Sequence, residues 1–426
     1  MTDPKTTQKF IIEGGSKLAG KITVSGSKNA TLPIMCATLL VKGKTTLKNV
    51  PDIADIHKLI KIFEALNVKV DFNNNTAIID ASDLSLHNLP NELICNMRGS
   101  ILLFGPILSR IGELKIPFPG GCVIGKRSVQ AHTHALQSLG AVVMEDDQNL
   151  HLKMEKPRSG VVIMPEISVT GTENAVMLAA MTPGNTQIRL AAAEPHVQDL
   201  CHFLNATGAK IKGIGTHFLD IEGVKELNPV THSITGDYLE AGTFAIASLV
   251  TQSELIIDGI ETNQLDSFWQ KLDEAGAKYE LAKNEARILP SLKLKAIKNL
   301  RTSVYPSFAT DLQAPFAVLL TQAEGESNIF ETLFEGRLNY LFELEQMGAK
   351  MKILNPHQAT VYGPSRLKGC AISSLDLRAG AAMVLAALCA EGKSEVSNIN
   401  YIDRGYEQFE NKLQSIGAKI ERISVN

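Results

Sequence analysis

The chain alternates apolar runs of helical spacing with short strand-like segments, and this alternation repeats about every 70 residues. The fifth copy shows the pattern best. Asp311 precedes an apolar run, and Gly325 follows it as a predicted left-handed C-cap. The elements predicted for this copy are a helix over 312–320, a strand over 327–330, a helix over 340–346, and strands over 350–354 and 359–362. The repeated order is therefore helix, strand, helix, strand, strand.

Two markers recur with this period and define six copies in the 426 residues. A Gly-Ala step closes the second helix at Gly140, Gly208, Gly276, Gly348 and Gly417. A charged residue stands just before the first apolar helix of each copy, at Lys28, Arg98, Glu173, Glu240, Asp311 and Arg378. The sixth copy predicts helices over 378–389 and 405–416, with strands over 394–398 and 418–423.

The first helix of each copy is apolar on nearly all sides, which is typical of a buried helix, whereas the second helix is amphipathic. Alternating helices and strands indicate the α/β class, here with sheets placed around buried helices. Six copies fit either one ring or two domains of three copies each. In the second case, the polar stretch 225–236 is a plausible connection between the two domains. A strand over 9–12 could complete a sheet with the carboxy-terminal copies, because the sixth copy lacks its last strand.

The composition is that of an ordinary globular protein, with 44% hydrophobic residues, 20% charged residues and a mean hydropathy of +0.03. A net charge of −3 does not favour nucleic acid or anionic membranes. The polar start has no secretory pattern and no apolar run is long enough to span a bilayer, which predicts a cytoplasmic protein. Six cysteines without a C-x-x-C pair predict neither a zinc site nor disulfides.

The least ordinary loop covers 119–127 and contains Cys122 among three glycines. Lys126 and Arg127 place positive charge near the thiol, a setting that favours a reactive thiolate. The same residues are also compatible with a surface turn that carries an unreactive cysteine and two solvated cations.

Three segments place a cation at a predicted helix start. Ser25 to Asn29 sets Lys28 where backbone N–H groups attract anions, although a helix cap with an exposed lysine also fits. Arg378 and Arg404 each follow an aspartate at a predicted helix start, where the helix dipole opposes an arginine. An anionic ligand would explain that placement, and a surface Asp–Arg pair is the alternative. Arg98 raises the same question.

Asp311 places a carboxylate at the start of a buried helix, where it fits either an N-cap or a general base. Glu173 and Glu240 carry the same ambiguity. The six equivalent positions thus hold three cations and three carboxylates, a mixture that suits an anionic substrate and a base.

Six segments resemble, in order along the whole chain, motifs of the enolpyruvyl transferases. They are S-G-S-K-N (25–29), G-G-C-V-I-G-K-R (120–127), T-E-N (172–174), Y-P-S-F-A-T-D-L-Q (305–313), D-L-R-A (376–379) and D-R-G-Y-E (403–407). The resemblance is strongest to the branch that transfers the enolpyruvyl group of phosphoenolpyruvate to the 3-hydroxyl of UDP-N-acetylglucosamine, the first committed step of peptidoglycan synthesis.

This resemblance implies an inside-out α/β barrel fold, with two domains of three βαβαββ repeats each. The first domain would span 23–235 and the second 1–22 plus 236–426, with the active site in the cleft between them. It implies two small-molecule substrates, no metal, no organic cofactor, no nucleic acid and no membrane, in a monomer or weak oligomer.

The resemblance also implies roles for individual residues. Lys28, Arg127 and Arg404 would hold phosphoenolpyruvate, with Arg378 nearby, and Asp311 would take the proton from the sugar hydroxyl. Cys122 would form a phospholactoyl adduct or donate a proton, and would be the target of fosfomycin. The remaining implied substrate contacts are Asn29, Arg98, Ser168, Val169, Leu333, Phe334 and Arg337.

The chain departs from the family pattern on the predicted nucleotide side, at Ser128, Gln130, Ala131, Glu166, Thr170 and Gly336. A carboxylate gained and a cation lost there would weaken binding of a uridine diphosphate. The acceptor is therefore either UDP-N-acetylglucosamine held differently or a related nucleotide or nucleotide sugar. A shikimate-pathway transferase, which lacks the cysteine loop, and a catalytically silent homologue are the further alternatives.

Overall fold

A computed structural model describes residues 7–86, 89–118 and 128–425. Within these residues the chain forms two compact units. The carboxy-terminal unit consists of 7–25 and 236–425, and the amino-terminal unit of 26–118 and 128–235. Each unit contains three sheets and a bundle of buried helices.

The strands, in chain order, are β1 (Thr7–Glu13), β2 (Ala19–Thr23), β3 (Lys44–Lys48), β4 (Lys69–Asn73), β5 (Thr76–Asp80), β6 (Glu113–Pro117), β7 (Ala141–Glu145), β8 (Asn149–Met154), β9 (Val161–Ile163), β10 (Gly184–Arg189), β11 (Lys210–Lys212), β12 (Phe218–Gly223), β13 (Thr231–Ser233), β14 (Glu254–Asp258), β15 (Lys278–Leu281), β16 (Glu285–Leu289), β17 (Asn299–Arg301), β18 (Gly325–Phe330), β19 (Lys350–Asn355), β20 (Gln358–Gly363), β21 (Ala371–Ser373), β22 (Lys393–Ser397) and β23 (Lys419–Val425).

The α-helices are α1 (Lys28–Thr38), α2 (Ala54–Ala65), α3 (Asn91–Cys95), α4 (Phe104–Arg110), α5 (Gln130–Ser138), α6 (Val169–Met181), α7 (Pro195–Thr207), α8 (Tyr238–Val250), α9 (Asp266–Glu274), α10 (Gln313–Gln322), α11 (Leu341–Gln346), α12 (Leu377–Cys389) and α13 (Phe409–Ser415). Short 3₁₀ helices cover Arg98–Leu103, Thr262–Leu265, Thr310–Leu312, Arg337–Tyr340 and Ile399–Arg404. Among the described residues, no helix is long and apolar enough to cross a membrane.

The sheets of the carboxy-terminal unit have the strand orders β15-β16-β14-β2, β17-β18-β20-β19 and β21-β22-β1-β23. The amino-terminal strand β1 lies between β22 and β23 and pairs antiparallel with both, with Phe10 opposite Val396 and Ile12 opposite Ile420. It therefore supplies the strand that the sixth copy lacks, which confirms the predicted pairing. The sheets of the amino-terminal unit are β13-β3-β5-β4, β6-β8-β7 and β11-β12-β10-β9.

The first helices of the repeats are buried, as their all-round apolar pattern predicts. In the carboxy-terminal unit, α8, α10 and α12 pack on one another, and each also contacts one of the three sheets. Gly242 of α8 lies close to the 3₁₀ helix that leads into α10, and a Cβ there would stand 2.7 Å from a methyl carbon of Leu312. In the amino-terminal unit, α1, α6 and the 3₁₀ helix Arg98–Leu103 pack together.

Four predicted elements differ from the structure. The helix predicted over 405–416 begins only at Phe409, because the chain turns through Gln408 at a φ of +46°. Helix α10 ends at Ala323 in an extended conformation, so Gly325, at φ +116°, begins β18 and does not cap the helix. The apolar run after Arg98 starts as 3₁₀. Finally, α6 begins at Val169, which places Glu173 inside the helix rather than before it.

Candidate active site

Asp311 lies in the short 3₁₀ helix that leads into α10, and two arginines of the same unit hold its carboxylate. Its Oδ1 accepts a hydrogen bond from Arg337 Nη2 at 2.8 Å, and its Oδ2 accepts one from Arg378 Nε at 3.2 Å. Neither the 3₁₀ helix nor α10 has a side-chain cap bond. The N-cap interpretation of Asp311 is therefore wrong.

Both arginines are deeply buried, with 3% of Arg337 and 2% of Arg378 exposed. Arg378 is the second residue of α12, whose N-cap Asp376 accepts hydrogen bonds from two backbone N–H groups. The Arg378 guanidinium lies 5.2 Å from the ring centre of Tyr406. The surface-pair interpretation of Arg378 is therefore wrong, since the side chain is buried against Asp311.

The protonation of Asp311 follows from its surroundings. Burial alone would raise the pKa of the carboxyl, but the charges and hydrogen bonds of Arg337 and Arg378 hold this pKa well below its usual range. Asp311 is thus a carboxylate at any physiological pH and can accept a proton. The same two cations reduce its basicity, so their contacts with Asp311 set how readily it takes that proton.

A buried glutamate, Glu331, bonds to residues next to Asp311 and next to Phe334. No pattern in the sequence indicated this role. Its Oε2 accepts a hydrogen bond from Thr310 Oγ1 at 2.8 Å, and its Oε1 accepts one from the Leu333 backbone N–H at 2.9 Å. Its side chain is 0% exposed. Glu331 therefore ties the residue before Asp311 to the segment of Leu333 and Phe334, and Phe334 lies 5.3 Å under the Arg337 guanidinium.

Arg404 is the last residue of the 3₁₀ helix Ile399–Arg404, so its predicted position at a helix start is wrong. It is half-buried in the carboxy-terminal unit, as is Asp403 before it. Asp403 bonds to Arg422 rather than forming a surface pair with Arg404. Tyr406, two residues further on, shares a hydrogen bond of 2.8 Å with Thr243 on α8.

In the amino-terminal unit, Lys28 is the first residue of α1, and Ser27 caps the helix by accepting from the Ala30 N–H. Lys28 is only 8% exposed, and its Nζ lies 2.8 Å from Asp55 Oδ2. The exposed-lysine interpretation is therefore wrong. The following residue, Asn29, is half-buried.

Asp55, on α2, is the second partner residue that the sequence reading missed. It lies on the apolar stripe of that helix together with Leu59, Ile62 and Leu66, all of them buried. A carboxylate within an apolar stripe needs a buried partner. The position of Asp55 among apolar residues was therefore the feature of the sequence that could have predicted a buried cation as its partner.

Arg98 begins the 3₁₀ helix Arg98–Leu103 and is half-buried, and its Nη2 donates to the Ser128 carbonyl at 3.0 Å. Ser128 is one of the positions that depart from the family pattern. Ser168 is the N-cap of α6 and Val169 its first residue, and both are half-buried. Glu166 and Gln130 are exposed.

Thr170, another departure, contacts the buried imidazole of His132. Asn174 Oδ1 accepts from Gly105 N–H, which orients its amide so that Nδ2 donates to His132 Nδ1 at 3.0 Å. The His132 proton therefore lies on Nε2, 3.1 Å from Thr170 Oγ1. Burial, with a contribution from the charge of Arg98, lowers the pKa of His132 to about 3. The ring is neutral and holds Thr170 in place.

Glu173 and Glu240 differ in their surroundings. Glu240 bonds through Oε1 to Lys412 Nζ at 2.6 Å and through Oε2 to the Ser25 N–H at 2.8 Å, inside the carboxy-terminal unit. Glu173 is 1% exposed, and its Oε1 has no hydrogen-bond partner among the described residues. Burial, and then the nearby charge of Glu194, raise the pKa of Glu173 well above its usual value.

Glu173→Gln should therefore stabilise the protein increasingly as the pH rises. Below the unfolded-state pKa of 4.5, the carboxyl is protonated whether or not the chain is folded. Above that value the unfolded state ionises while the folded state keeps its proton, so the wild type loses stability until the raised folded pKa is passed. The gain of the variant should grow by up to about 1.4 kcal/mol per pKa unit of that shift.

The measurement is urea unfolding of the wild type and Glu173→Gln between pH 5 and pH 9, with Glu166→Gln as the exposed control. A stability difference that stays constant or shrinks over this range would contradict the assignment of a protonated Glu173.

Cys122 and Arg127 lie outside the described residues, as does the rest of the glycine-rich loop from 119 to 127. Their predicted roles stay predictions. Among the described residues, no group of His, Cys, Asp and Glu side chains has the arrangement of a metal site.

Comparison with known proteins agrees with the fold and the motifs. The family of EPSP synthase (3-phosphoshikimate 1-carboxyvinyltransferase) matches residues 12–413. A UDP-N-acetylglucosamine 1-carboxyvinyltransferase from Dichelobacter nodosus is 41% identical over 417 residues, covering 98% of this chain and 99% of that protein. A UDP-N-acetylglucosamine 1-carboxyvinyltransferase 2 from Carboxydothermus hydrogenoformans is 41% identical over 419 residues, covering 98% and 100%.

Solved structures of the same class share the fold. The enolpyruvyl transferase NikO from Streptomyces tendae superposes with a TM-score of 0.90 at 23% identity, covering 99% of this chain and 100% of that one. EPSP synthase from Acinetobacter baumannii superposes with a TM-score of 0.76 at 17% identity, covering 98% and 100%. The fold is that of the enolpyruvyl transferases, as the motifs predict. The chain belongs to the EPSP synthase family.

Proposed function

We propose that this protein transfers the enolpyruvyl group of phosphoenolpyruvate to the 3-hydroxyl of UDP-N-acetylglucosamine and releases phosphate, the first committed step of peptidoglycan synthesis. The observation that carries the proposal is the half-buried Asp311 carboxylate held between two buried arginines. It occurs in a chain that matches UDP-N-acetylglucosamine 1-carboxyvinyltransferases at 41% identity over nearly its full length. As the sequence predicts, we propose a cytoplasmic enzyme that acts as a monomer or weak oligomer.

The reaction needs a base, an acid and cations. A base removes the proton of the sugar hydroxyl while its oxygen bonds to C2 of phosphoenolpyruvate, and an acid adds a proton to C3. The C3 proton is then lost, the C2–O bond to phosphate breaks, and an enolpyruvyl ether and inorganic phosphate result. Positioned proton-transfer groups each accelerate such steps, and cations stabilise the charge that develops on the phosphate and carboxylate.

The residues of the carboxy-terminal unit suit the first requirement. Asp311 is ionised and accepts the hydroxyl proton, and Arg378 orients it through Nε. Arg337 was predicted as a substrate contact, but its burial and its bond to Asp311 support a role in positioning the base. Leu333 is exposed and Phe334 half-buried, so both can contact the acceptor. Arg404 contributes a cation for phosphoenolpyruvate.

The amino-terminal unit contributes the remaining proposed groups. Lys28 and Arg127 bind phosphoenolpyruvate, and Cys122 donates the C3 proton or forms the phospholactoyl adduct. Asn29, Arg98, Ser168 and Val169 contact the acceptor or line its site. No residue in this set requires a metal or an organic cofactor.

A second candidate is an enolpyruvyl transferase for a different nucleotide or nucleotide sugar. The observation that favours it is the altered nucleotide side, where Thr170 is held by His132 and the exposed Glu166 adds a carboxylate. A carboxylate repels a diphosphate, so the acceptor of this candidate would carry its negative charge elsewhere.

An acceptor panel separates the two candidates. Phosphate release from phosphoenolpyruvate is measured with UDP-N-acetylglucosamine, with other nucleotide sugars and nucleotides, with shikimate 3-phosphate, and with no acceptor. We expect phosphate release with UDP-N-acetylglucosamine, and we expect fosfomycin to inhibit this release by reacting with Cys122. Release only with another nucleotide would move the function to the second candidate, and release only with shikimate 3-phosphate would reject both.

A further inference from the structure

The segment that carries Arg404 is anchored by one arginine from the last strand of the chain. Asp403 immediately precedes Arg404, and both of its carboxylate oxygens accept hydrogen bonds from Arg422. The distances are 2.9 Å from Nη1 to Oδ2 and 2.7 Å from Nη2 to Oδ1. This paired geometry fixes both the position and the plane of a carboxylate.

Every N–H of the Arg422 guanidinium has an acceptor. Besides Asp403, Nε and Nη2 donate to Glu410 at 2.6 and 3.0 Å, and Nη1 donates to Gln8 Oε1 at 3.1 Å. The guanidinium also lies 5.0 Å from the ring centre of Phe10 on β1. An arginine has five N–H donors in a rigid plane, so Arg422 cannot shift without breaking several bonds at once.

The anchoring joins three elements, of which β1 is distant in sequence from α13 and β23. Arg422 lies on β23, Glu410 on α13, and Gln8 and Phe10 on β1, which is paired with β23 along its length. Asp403 and Arg404 are the last two residues of the 3₁₀ helix Ile399–Arg404, and the backbone from Gly405 to Gln408 is irregular and turns at the positive φ of Gln408. Arg404 is therefore the last regular residue before an irregular turn, and the side-chain bonds of Arg422 to Asp403 hold this end of the 3₁₀ helix against β23.

We propose that Arg422 is a positioning residue for Arg404 and acts through Asp403. The inference rests on the proposed function, in which Arg404 binds phosphoenolpyruvate. Arg422 itself does not touch the substrate. Arg422 bonds Asp403 to the paired strands β1 and β23. Because Arg404 is the next residue along the backbone, its position is fixed as well. If Arg422 only stabilised the fold, its replacement would change the KM values of both substrates alike. If it positions Arg404, its replacement mainly weakens the binding of phosphoenolpyruvate.

The test is steady-state kinetics of Arg422→Gln, Arg422→Lys and Asp403→Asn. We expect the KM for phosphoenolpyruvate to rise about tenfold or more in each, since small displacements of a binding group have large effects on rate. The KM for UDP-N-acetylglucosamine should stay within about twofold. Lysine should not rescue the affinity, because it keeps the charge but cannot bond both oxygens of Asp403.

Arg287→Gln is the matched control. Arg287 lies on β16 of the same unit and also joins two carboxylates, Glu254 and Glu280, away from the motif. We expect it to leave both KM values unchanged. We also expect the double variant Arg422→Gln/Asp403→Asn to have a KM for phosphoenolpyruvate no higher than that of the more impaired single variant, because both substitutions break the same link.

An unchanged KM for phosphoenolpyruvate, a parallel rise of both KM values, or an equal effect of Arg287→Gln would overturn the inference. If the wild type shows no turnover with these substrates, the proposed function fails separately. Calorimetric titration of phosphoenolpyruvate into the wild type and the variants then tests the inference alone, with weaker binding expected in Arg422→Gln and equal binding overturning it.

Discussion

Replacing Asp311 by asparagine should lower kcat by about 10²–10⁴-fold, the range that positioned proton transfer contributes. An amide has nearly the shape of the carboxylate but cannot take the hydroxyl proton. The guanidiniums of Arg337 and Arg378 would remain in place, so the KM for phosphoenolpyruvate should change far less than kcat. A kcat within about tenfold of the wild type would contradict the assignment of Asp311 as the base.

The same substitution leaves two buried cations without their carboxylate, so it should also destabilise the carboxy-terminal unit. Activity must therefore be compared below the unfolding transition of the variant, checked by circular dichroism. Asp273→Asn is a suitable control, since the exposed Asp273 carboxylate of the same unit accepts a hydrogen bond from the Tyr279 hydroxyl and lies outside the motifs. Its kcat should equal that of the wild type.

The depressed pKa of Asp311 adds a pH dependence to this prediction. A carboxyl whose folded pKa lies below its ordinary value of 3.8 is fully ionised above that pH. The pH profile of kcat/KM should therefore show no acid limb from Asp311 between pH 5 and pH 8.

The second large effect concerns the stability of the amino-terminal unit. Asp55→Asn removes the carboxylate that lies 2.8 Å from the buried ammonium of Lys28. Removing one partner of a buried ion pair lowers the free energy of unfolding by about 3–5 kcal/mol. The Asp55 carboxylate then no longer competes with an anionic ligand for Lys28. Phosphoenolpyruvate should therefore raise the melting temperature of this variant more than that of the wild type.

Asp52→Asn is the control for Asp55. Asp52 lies just before the same helix in an exposed pair with His57, so its replacement should change stability by less than about 1 kcal/mol. Equal losses in the two variants would contradict a buried Lys28–Asp55 pair, as would an unchanged response of Asp55→Asn to phosphoenolpyruvate.

The buried helices and the place of β1 could be predicted because both follow from local pattern. A helix that is apolar on all sides must be covered, and a last repeat without its final strand needs a strand from elsewhere. The start of α13 could not be predicted, because Gln408 takes a positive φ that its side chain does not demand. The helix predicted over 405–416 was too long for that reason.

The candidate site was predictable at the residues that carry charge in the motifs, but not in their partners. Asp311, Arg378 and Arg404 lie in motifs that the sequence identifies. Glu331 bonds to Thr310, next to Asp311, and Arg422 bonds to Asp403, next to Arg404, each from another part of the chain. Such pairings depend on tertiary packing and leave no spacing pattern. Asp55 was the exception, because a carboxylate in an apolar stripe is visible in the sequence.

The central claim is the transfer of the enolpyruvyl group to the sugar hydroxyl, and the product tests it most directly. Phosphoenolpyruvate labelled with carbon-13 at C2 is incubated with UDP-N-acetylglucosamine and the wild-type protein, and the product is followed by NMR. We expect an enol ether carbon coupled to the sugar at position 3, formed in an amount equal to the phosphate released, and formed at least about 10²-fold more slowly with Asp311→Asn. Unchanged UDP-N-acetylglucosamine, in a preparation that transfers the labelled group to another acceptor, would contradict it.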